Sequence, residues 1–231
     1  MRKTKLFFYL FILTSNAFLT SLAAEDWCTK KYVYQETTGS RIDTCVCVIK
    51  KVSDGFLFTV DYTDEVYRFK TNLTYSAEQC DISKTNSSNS LRVERQGKKL
   101  LLNDKDGSDV KVGDNPWYQT SFSLAGFAQS TEKKTTFYQA TIYEDGEKKR
   151  KVNGSAIKMV AIKEKMETLK VDSRNIETVK VTITLPGFRS MFWKITYWYR
   201  LSDGAVVQYK DVRGGPGTPK THGILIREEM N

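Results

Sequence analysis

Apolar and polar residues alternate along most of this chain after residue 30. β-Branched and aromatic side chains fill the apolar positions and turn signals recur at short intervals, a pattern that predicts strands. Phe56, Phe58, Val60 and Tyr62 share one face of a strand opened by Asp54-Gly55, and Val66 to Lys70 follows the Thr63-Asp64 turn as its hairpin partner. Leu91 to Arg95 and Lys98 to Leu102 flank Gln96-Gly97 in the same way, and Thr135 to Tyr143 is followed by the Asp145-Gly146 turn. Ile157 to Ile162, Val179 to Leu185, Met191 to Leu201, Ala205 to Val212 and Ile224 to Arg227 continue the pattern. About ten or eleven strands joined by sequential hairpins imply a mainly β fold, a curved antiparallel sheet that curls toward a barrel.

One segment departs from that period. Asp114-Asn115-Pro116 offers a cap followed by proline at a first helical position, after which Trp117, Thr120, Leu124 and Phe127, with Tyr118, Phe122 and Ala125, recur at helical spacing. The spacing predicts a short amphipathic helix over Pro116 to Gln129 that lies on the sheet, with Phe122 and Phe127 against a wall that includes Trp193 and Tyr197. The carboxy-terminal strands carry the heaviest apolar load. Met191, Trp193, Ile195, Tyr197, Tyr199 and Leu201 share one face, and Val179, Val181, Ile183 and Leu185 share one face of the strand before. This surface is either an ordinary filled core or the wall of a cavity for an apolar ligand. In the second case the lining is Trp117, Phe122, Leu124 and Phe127 from the helix with Val181, Ile183, Met191, Trp193, Ile195, Tyr197 and Tyr199 from the strands.

The amino terminus breaks the alternation altogether. Arg2, Lys3 and Lys5 precede an unbroken apolar run from Leu6 to Leu13, and Ser21-Leu22-Ala23-Ala24 supplies small residues before Glu25-Asp26. This is the pattern of a secretory signal peptide cleaved after Ala23 or Ala24. The apolar run is shorter than the roughly 20 residues of a membrane span, and no cysteine stands at the cleavage point to accept a lipid. The expected organisation is a signal peptide over 1–24 and a single β domain over 25–231, in the periplasm or secreted, not membrane-spanning after cleavage. Loss of three basic residues lowers the net charge from +9 to +6. The Lys148-Lys149-Arg150-Lys151 run beside Asp145-Gly146 reads as a solvated hairpin tip.

Export changes the reading of Cys28, Cys45, Cys47 and Cys80, because disulfides persist outside the cytoplasm. Cys45 and Cys47 project from the same face of a strand, so a bond between them would strain the backbone. Two disulfides are expected, either Cys28–Cys45 with Cys47–Cys80 or Cys28–Cys47 with Cys45–Cys80. No metal site is expected at the Cys-x-Cys pair, which has no histidine near it.

Catalytic signals are sparse. The one histidine, His222, stands in Lys220-Thr221-His222-Gly223, and no Gly-x-Ser-x-Gly motif occurs, which disfavours nucleophile–histidine hydrolysis and zinc chemistry. A carboxylate pair needs no local spacing, so a carboxylate-dependent hydrolase stays as a third reading. Gly214 to Thr221 resembles a phosphate loop but carries Pro219 where the glycine before Lys220 should be, and too little chain follows to build the helix. No cofactor is expected. Trp193-Lys194 and Trp198-Tyr199-Arg200 have the composition of a nucleic-acid stacking surface, which an exported location disfavours. The sequons at Asn72, Asn86 and Asn153 matter only in a eukaryotic secretory pathway.

Several motifs together carry a resemblance. Asn115-Pro-Trp-Tyr-Gln-Thr-Ser-Phe-Ser-Leu-Ala-Gly-Phe127, the strand around Phe137, Glu167-Thr-Leu-Lys-Val171, and the ending Tyr197-Trp-Tyr-Arg200, Gly204-Ala-Val-Val-Gln-Tyr-Lys-Asp211 and Gly214-Gly-Pro-Gly-Thr218 resemble an uncharacterised family of exported bacterial proteins in the LolA/LolB-like superfamily. The resemblance runs from about Leu91 onward and leaves the cysteine-bearing portion unmatched. It implies an unclosed β-barrel with helices packed in its mouth, an apolar cavity, lipid or lipoprotein acyl chains or envelope proteins as partners, and no catalytic residue. The sequence therefore points to a periplasmic, non-enzymatic binding protein holding an apolar ligand, with a filled-core envelope-assembly protein as the alternative.

Overall fold

The computed structural model describes residues 28–85, 90–103, 108–144, 152–171, 173–191, 193–212 and 218–230. The segment expected to be a signal peptide, the basic run at 148–151 and residues 214–217 of the glycine-rich connection lie outside them. From the amino-terminal side come β1 (Thr29–Thr38), β2 (Arg41–Val52), β3 (Gly55–Asp61), β4 (Glu65–Asn72), β5 (Ala77–Lys84), β6 (Ser90–Gln96), β7 (Lys99–Asn103) and β8 (Ser108–Lys111). After a crossing segment come β9 (Lys134–Glu144), β10 (Val152–Val171), β11 (Arg174–Thr184), β12 (Lys194–Arg200), β13 (Val206–Asp211) and β14 (Thr221–Met230).

All fourteen strands form one antiparallel sheet in the order β8-β7-β6-β5-β4-β3-β2-β1-β14-β13-β12-β11-β10-β9. The chain starts in the middle of the sheet, walks out to the β8 edge, crosses to the β9 edge and walks back until β14 pairs with β1, Thr38 opposite Thr221 and Lys30 opposite Met230. The sheet is not closed, yet its curl brings β10 near β6, β7 and β8. This is the mainly β, curved antiparallel, barrel-like architecture expected from the alternation.

The period of two sorts the side chains. Tyr32 and Tyr34, Cys45 and Cys47, Phe58 and Val60, Val181 and Ile183, and Tyr197 and Tyr199 alternate inward and are buried in one cluster. Each large apolar side chain buried in this way contributes about 1.5–3 kcal/mol. The strands do not line an empty trough, because residues 112–133 cross from one edge to the other through the concave side and are buried from Trp117 to Ala125.

This crossing segment is mostly not the predicted helix. Tyr118 N–H donates to the Tyr138 carbonyl and Tyr138 N–H to the Pro116 carbonyl, each at 3.0 Å, while the Trp117 carbonyl accepts from Ala77 N–H at 2.6 Å. An extended stretch at 116–120 thus satisfies backbone groups of β9 and of the start of β5, which a helix there would have left unpaired. Helical geometry begins with a 3-10 turn at Ser121–Leu124 and one short helix, α1, at Ala125–Gln129.

Where two disulfides were expected, no disulfide joins Cys28, Cys45, Cys47 or Cys80 in the structure. The Cys28 carbonyl faces Lys51 N–H, which places Cys28 four residues, about 13 Å of strand, from Cys47 and farther from Cys45. Bridging needs Cα atoms within about 7 Å. Cys80 lies on β5, three strands from β2.

Candidate functional site

The structure leaves a cavity of about 280 Å³ at the end of the sheet where β1 begins and β2 ends. Tyr32 and Tyr34 of β1, Cys47 and Ile49 of β2 and Phe56 of β3 form one wall. They come together because Tyr32 pairs with Cys47 in the β1–β2 ladder, and residues at i and i+2 then share the inward face. Tyr75, Phe122, Ala125 and the Asp203–Val206 stretch complete the lining, and Cys28, Lys30 and Lys51 stand at the start of β1 and the end of β2.

Tyr75 is held in place by its turn. Its φ of 65° is left-handed, a conformation costly for a residue with a side chain. The Asn72 carboxamide oxygen offsets that cost by accepting from Thr74 N–H (2.9 Å), the Thr74 hydroxyl (2.7 Å) and Ser76 N–H (3.1 Å). The Tyr75 ring stacks on Phe56, with centroids 4.4 Å apart and planes within 12°. Behind it stands Gly126, where a Cβ would come within 2.7 Å of the Tyr75 ring, so only glycine lets α1 approach this closely.

Most of the cavity wall is electrically neutral. Burial raises the Tyr32 and Tyr34 hydroxyls and the Cys47 thiol well above their ordinary values, so all three keep their protons at physiological pH, and a protonated thiol is a poor nucleophile. Charge sits at Lys30, Lys51 and Asp203. Burial pushes the Asp203 carboxyl up, but the Arg200 guanidinium (2.8 and 2.9 Å), the Ala205 N–H (3.1 Å) and Lys30 outweigh it and hold the group below the usual carboxylate range. The arrangement suits an amphipathic molecule, with aromatic and aliphatic contact inside and fixed charge beside it.

The sequence-predicted lining is distributed differently. Trp117, Leu124, Phe127, Val181, Ile183, Ile195, Tyr197 and Tyr199 are buried together with Phe122 in the packed core, and of these only Phe122 also borders the cavity. The ring of Phe122 meets the wall strand edge-on at Tyr197, as expected, while the Phe127 ring lies under the Lys163 ammonium, 5.0 Å away. Met191 is a correction: β12 begins at Lys194, so Met191 falls in the preceding 3-10 turn and is exposed, with Trp193 half-buried beside the strand. Tyr32, Tyr34, Ile49 and Tyr75 went unnoticed. The alternation Lys30-Tyr32-Tyr34 and Cys45-Cys47-Ile49 was the available signal.

His222 lies opposite Thr37 and Lys210 in the ladders, near the far end of β1 from the cavity. Burial and the neighbouring Lys210 lower its pKa. Among the described residues no group of three or more His, Cys, Asp or Glu side chains is arranged to hold a metal ion.

No family model and no curated protein matches the sequence. Solved structures do. A β-barrel-like protein of domain of unknown function DUF1849 from Brucella abortus is 12% identical, with 89% of this chain and 98% of that chain covered at a TM-score of 0.55. The hypothetical lipoprotein YmcC from Escherichia coli (K12) is 10% identical over 85% of this chain and 86% of that one, at a TM-score of 0.42. An outer membrane lipoprotein-sorting protein domain from Vibrio parahaemolyticus is 11% identical over 90% and 87%, at a TM-score of 0.21. The Brucella protein shares the fold of this chain along almost its whole length, and at that identity the likeness is one of fold alone.

Proposed function

We propose that this chain is an exported, non-enzymatic binding protein of the bacterial envelope, a member of the LolA/LolB-like superfamily that holds an apolar or amphipathic ligand in the cavity beside Tyr32 and Tyr75. The observation that carries the reading is the cavity itself: about 280 Å³, near the lower end of the range for small-molecule pockets, lined by neutral aromatic and aliphatic side chains with charge concentrated at Lys30, Lys51 and Asp203. A space of that size suits one acyl chain or the end of a longer one, held by burial of apolar area at about 25 cal/mol per Å². The signal-peptide pattern supports the location, and the motif resemblance supports the superfamily.

The alternative, an envelope-assembly protein with a filled core, draws on a different observation: Phe122 and the tyrosines around it occupy the concave side. Titration with a fluorescent long-chain fatty acid separates the two. Saturable one-to-one binding, displaced by unlabelled fatty acid, is expected of the binding protein. Absence of saturable binding contradicts it.

A further inference from the structure

At the end of the sheet away from the cavity, β11 and β12 are joined through Leu185–Trp193, and the 3-10 turn Gly187–Met191 within that connection buries none of its side chains. Phe188 and Met191 are 73% and 78% exposed. Three residues apart in a 3-10 turn, they lie on the same side of it. The connection is nevertheless well anchored. The hydroxyl of buried Thr184 lies within hydrogen-bond reach of the carbonyls of Leu185 (3.4 Å), Ser190 (3.4 Å) and Trp193 (3.0 Å), so its proton can serve any of the three and tie both ends of the turn to β11. An ordered turn that directs a phenylalanine and a methionine into water gains nothing for folding from either side chain.

Its charge is one-signed as well. From Leu185 to Lys194 the sequence holds Arg189 and Lys194 and no acidic residue. The nearby carboxylate is Glu164, which Lys194 (3.4 Å) shares with Lys180 (2.5 Å). We propose that this turn docks the protein on an anionic lipid surface, with Phe188 and Met191 entering the interface and Arg189 and Lys194 lying among the phosphates. A single turn is far smaller than the roughly 800 Å² that each partner contributes to a stable protein interface. Membrane docking, by contrast, sums a few inserted apolar side chains and the attraction of nearby cations. A net charge of +9, or +6 without the expected signal peptide, favours the same partner. The inference does not depend on what the cavity holds.

Flotation of the mature chain with vesicles tests it. The protein should rise with vesicles of equal parts phosphatidylglycerol and phosphatidylcholine at low salt and stay behind with phosphatidylcholine alone. Replacing both Phe188→Ser and Met191→Ser should weaken partitioning about tenfold or more, and Arg189→Gln about fivefold. Melting temperatures should stay unchanged, because these side chains pack against nothing inside. The proposal is overturned if the wild type does not float with the anionic vesicles, if it floats equally with neutral ones, or if the double variant floats as the wild type does.

Discussion

The ring of Phe122 meets that of Tyr197 at right angles, with centroids 6.3 Å apart. A residue of the crossing segment thereby packs onto the middle of β12, and its ring also meets Tyr34 on β1, Tyr209 on β13 and Tyr62 just past the end of β3. One phenylalanine thus links the two halves of the sheet to the segment that runs between its edges. Phe122→Ala should cost about 3–5 kcal/mol, because a buried ring is lost and the surrounding tyrosines are too constrained to fill the gap. Urea denaturation reads this directly, and a loss below 1 kcal/mol would mean the segment is not packed there.

Filled core and open cavity respond differently to added volume. Ile195 is buried on β12 among those rings, so Ile195→Trp should overpack and lose about 1–3 kcal/mol. Ile49 is partly buried and borders the cavity, so Ile49→Trp should leave the melting temperature nearly unchanged while blocking fatty-acid uptake. Equal destabilisation by the two variants would mean the cavity is not there.

The cysteine register gives a chemical test. Alkylation of the denatured, unreduced protein should add four labels, since no disulfide joins any of the four cysteines. Two fewer labels would show that one pair is bridged and contradict this arrangement.

Much of this architecture was legible in the alternation. Phe56, Phe58 and Val60 face inward as their spacing indicates, and the turn between β6 and β7 falls at Gly97-Lys98, one residue past the predicted Gln96-Gly97, with Gly97 at a φ of 56°. What escaped depended on partners distant in sequence. The second half of β10, Lys163 to Val171, is largely polar and lies past the predicted strand Ile157 to Ile162; its pairing with β11 is what continues the strand. The extended stretch at Trp117–Thr120 has helical spacing, and it is held straight by partners distant in sequence: the backbone groups of Tyr138 and Ala77, the Ser76 hydroxyl and the Ala140 carbonyl. The site escaped for a related reason. Alternation identifies an apolar face on β12 but not what stands opposite, and here Phe122 fills that space, which leaves the opening beside β1 and β2.

Acid should weaken the outer surface of β10 and β11 in a defined window. Hydrogen bonds from Lys180 (2.5 Å) and then Thr182 (2.5 Å) hold the Glu164 carboxyl down at about 2, against an ordinary value of 4.5. The unfolded chain takes up this proton near pH 4.5 and the folded chain only near pH 2, so the stabilisation is complete above pH 4.5 and is lost as pH falls toward 2. Glu164→Gln should be less stable than the wild type at neutral pH and should lose less on acidification across that window. Thermal melts at a series of pH values check this, and parallel curves for the two proteins would contradict it.

The most direct test of the binding site is native mass spectrometry of the mature chain purified from its own host. The wild type is expected to carry the mass of one amphiphile, and Ile49→Trp, with the cavity occupied by its own side chain, is expected to fly bare. A wild type that flies as the bare polypeptide, or an adduct carried equally by both proteins, would contradict a ligand site beside Tyr32 and Tyr75.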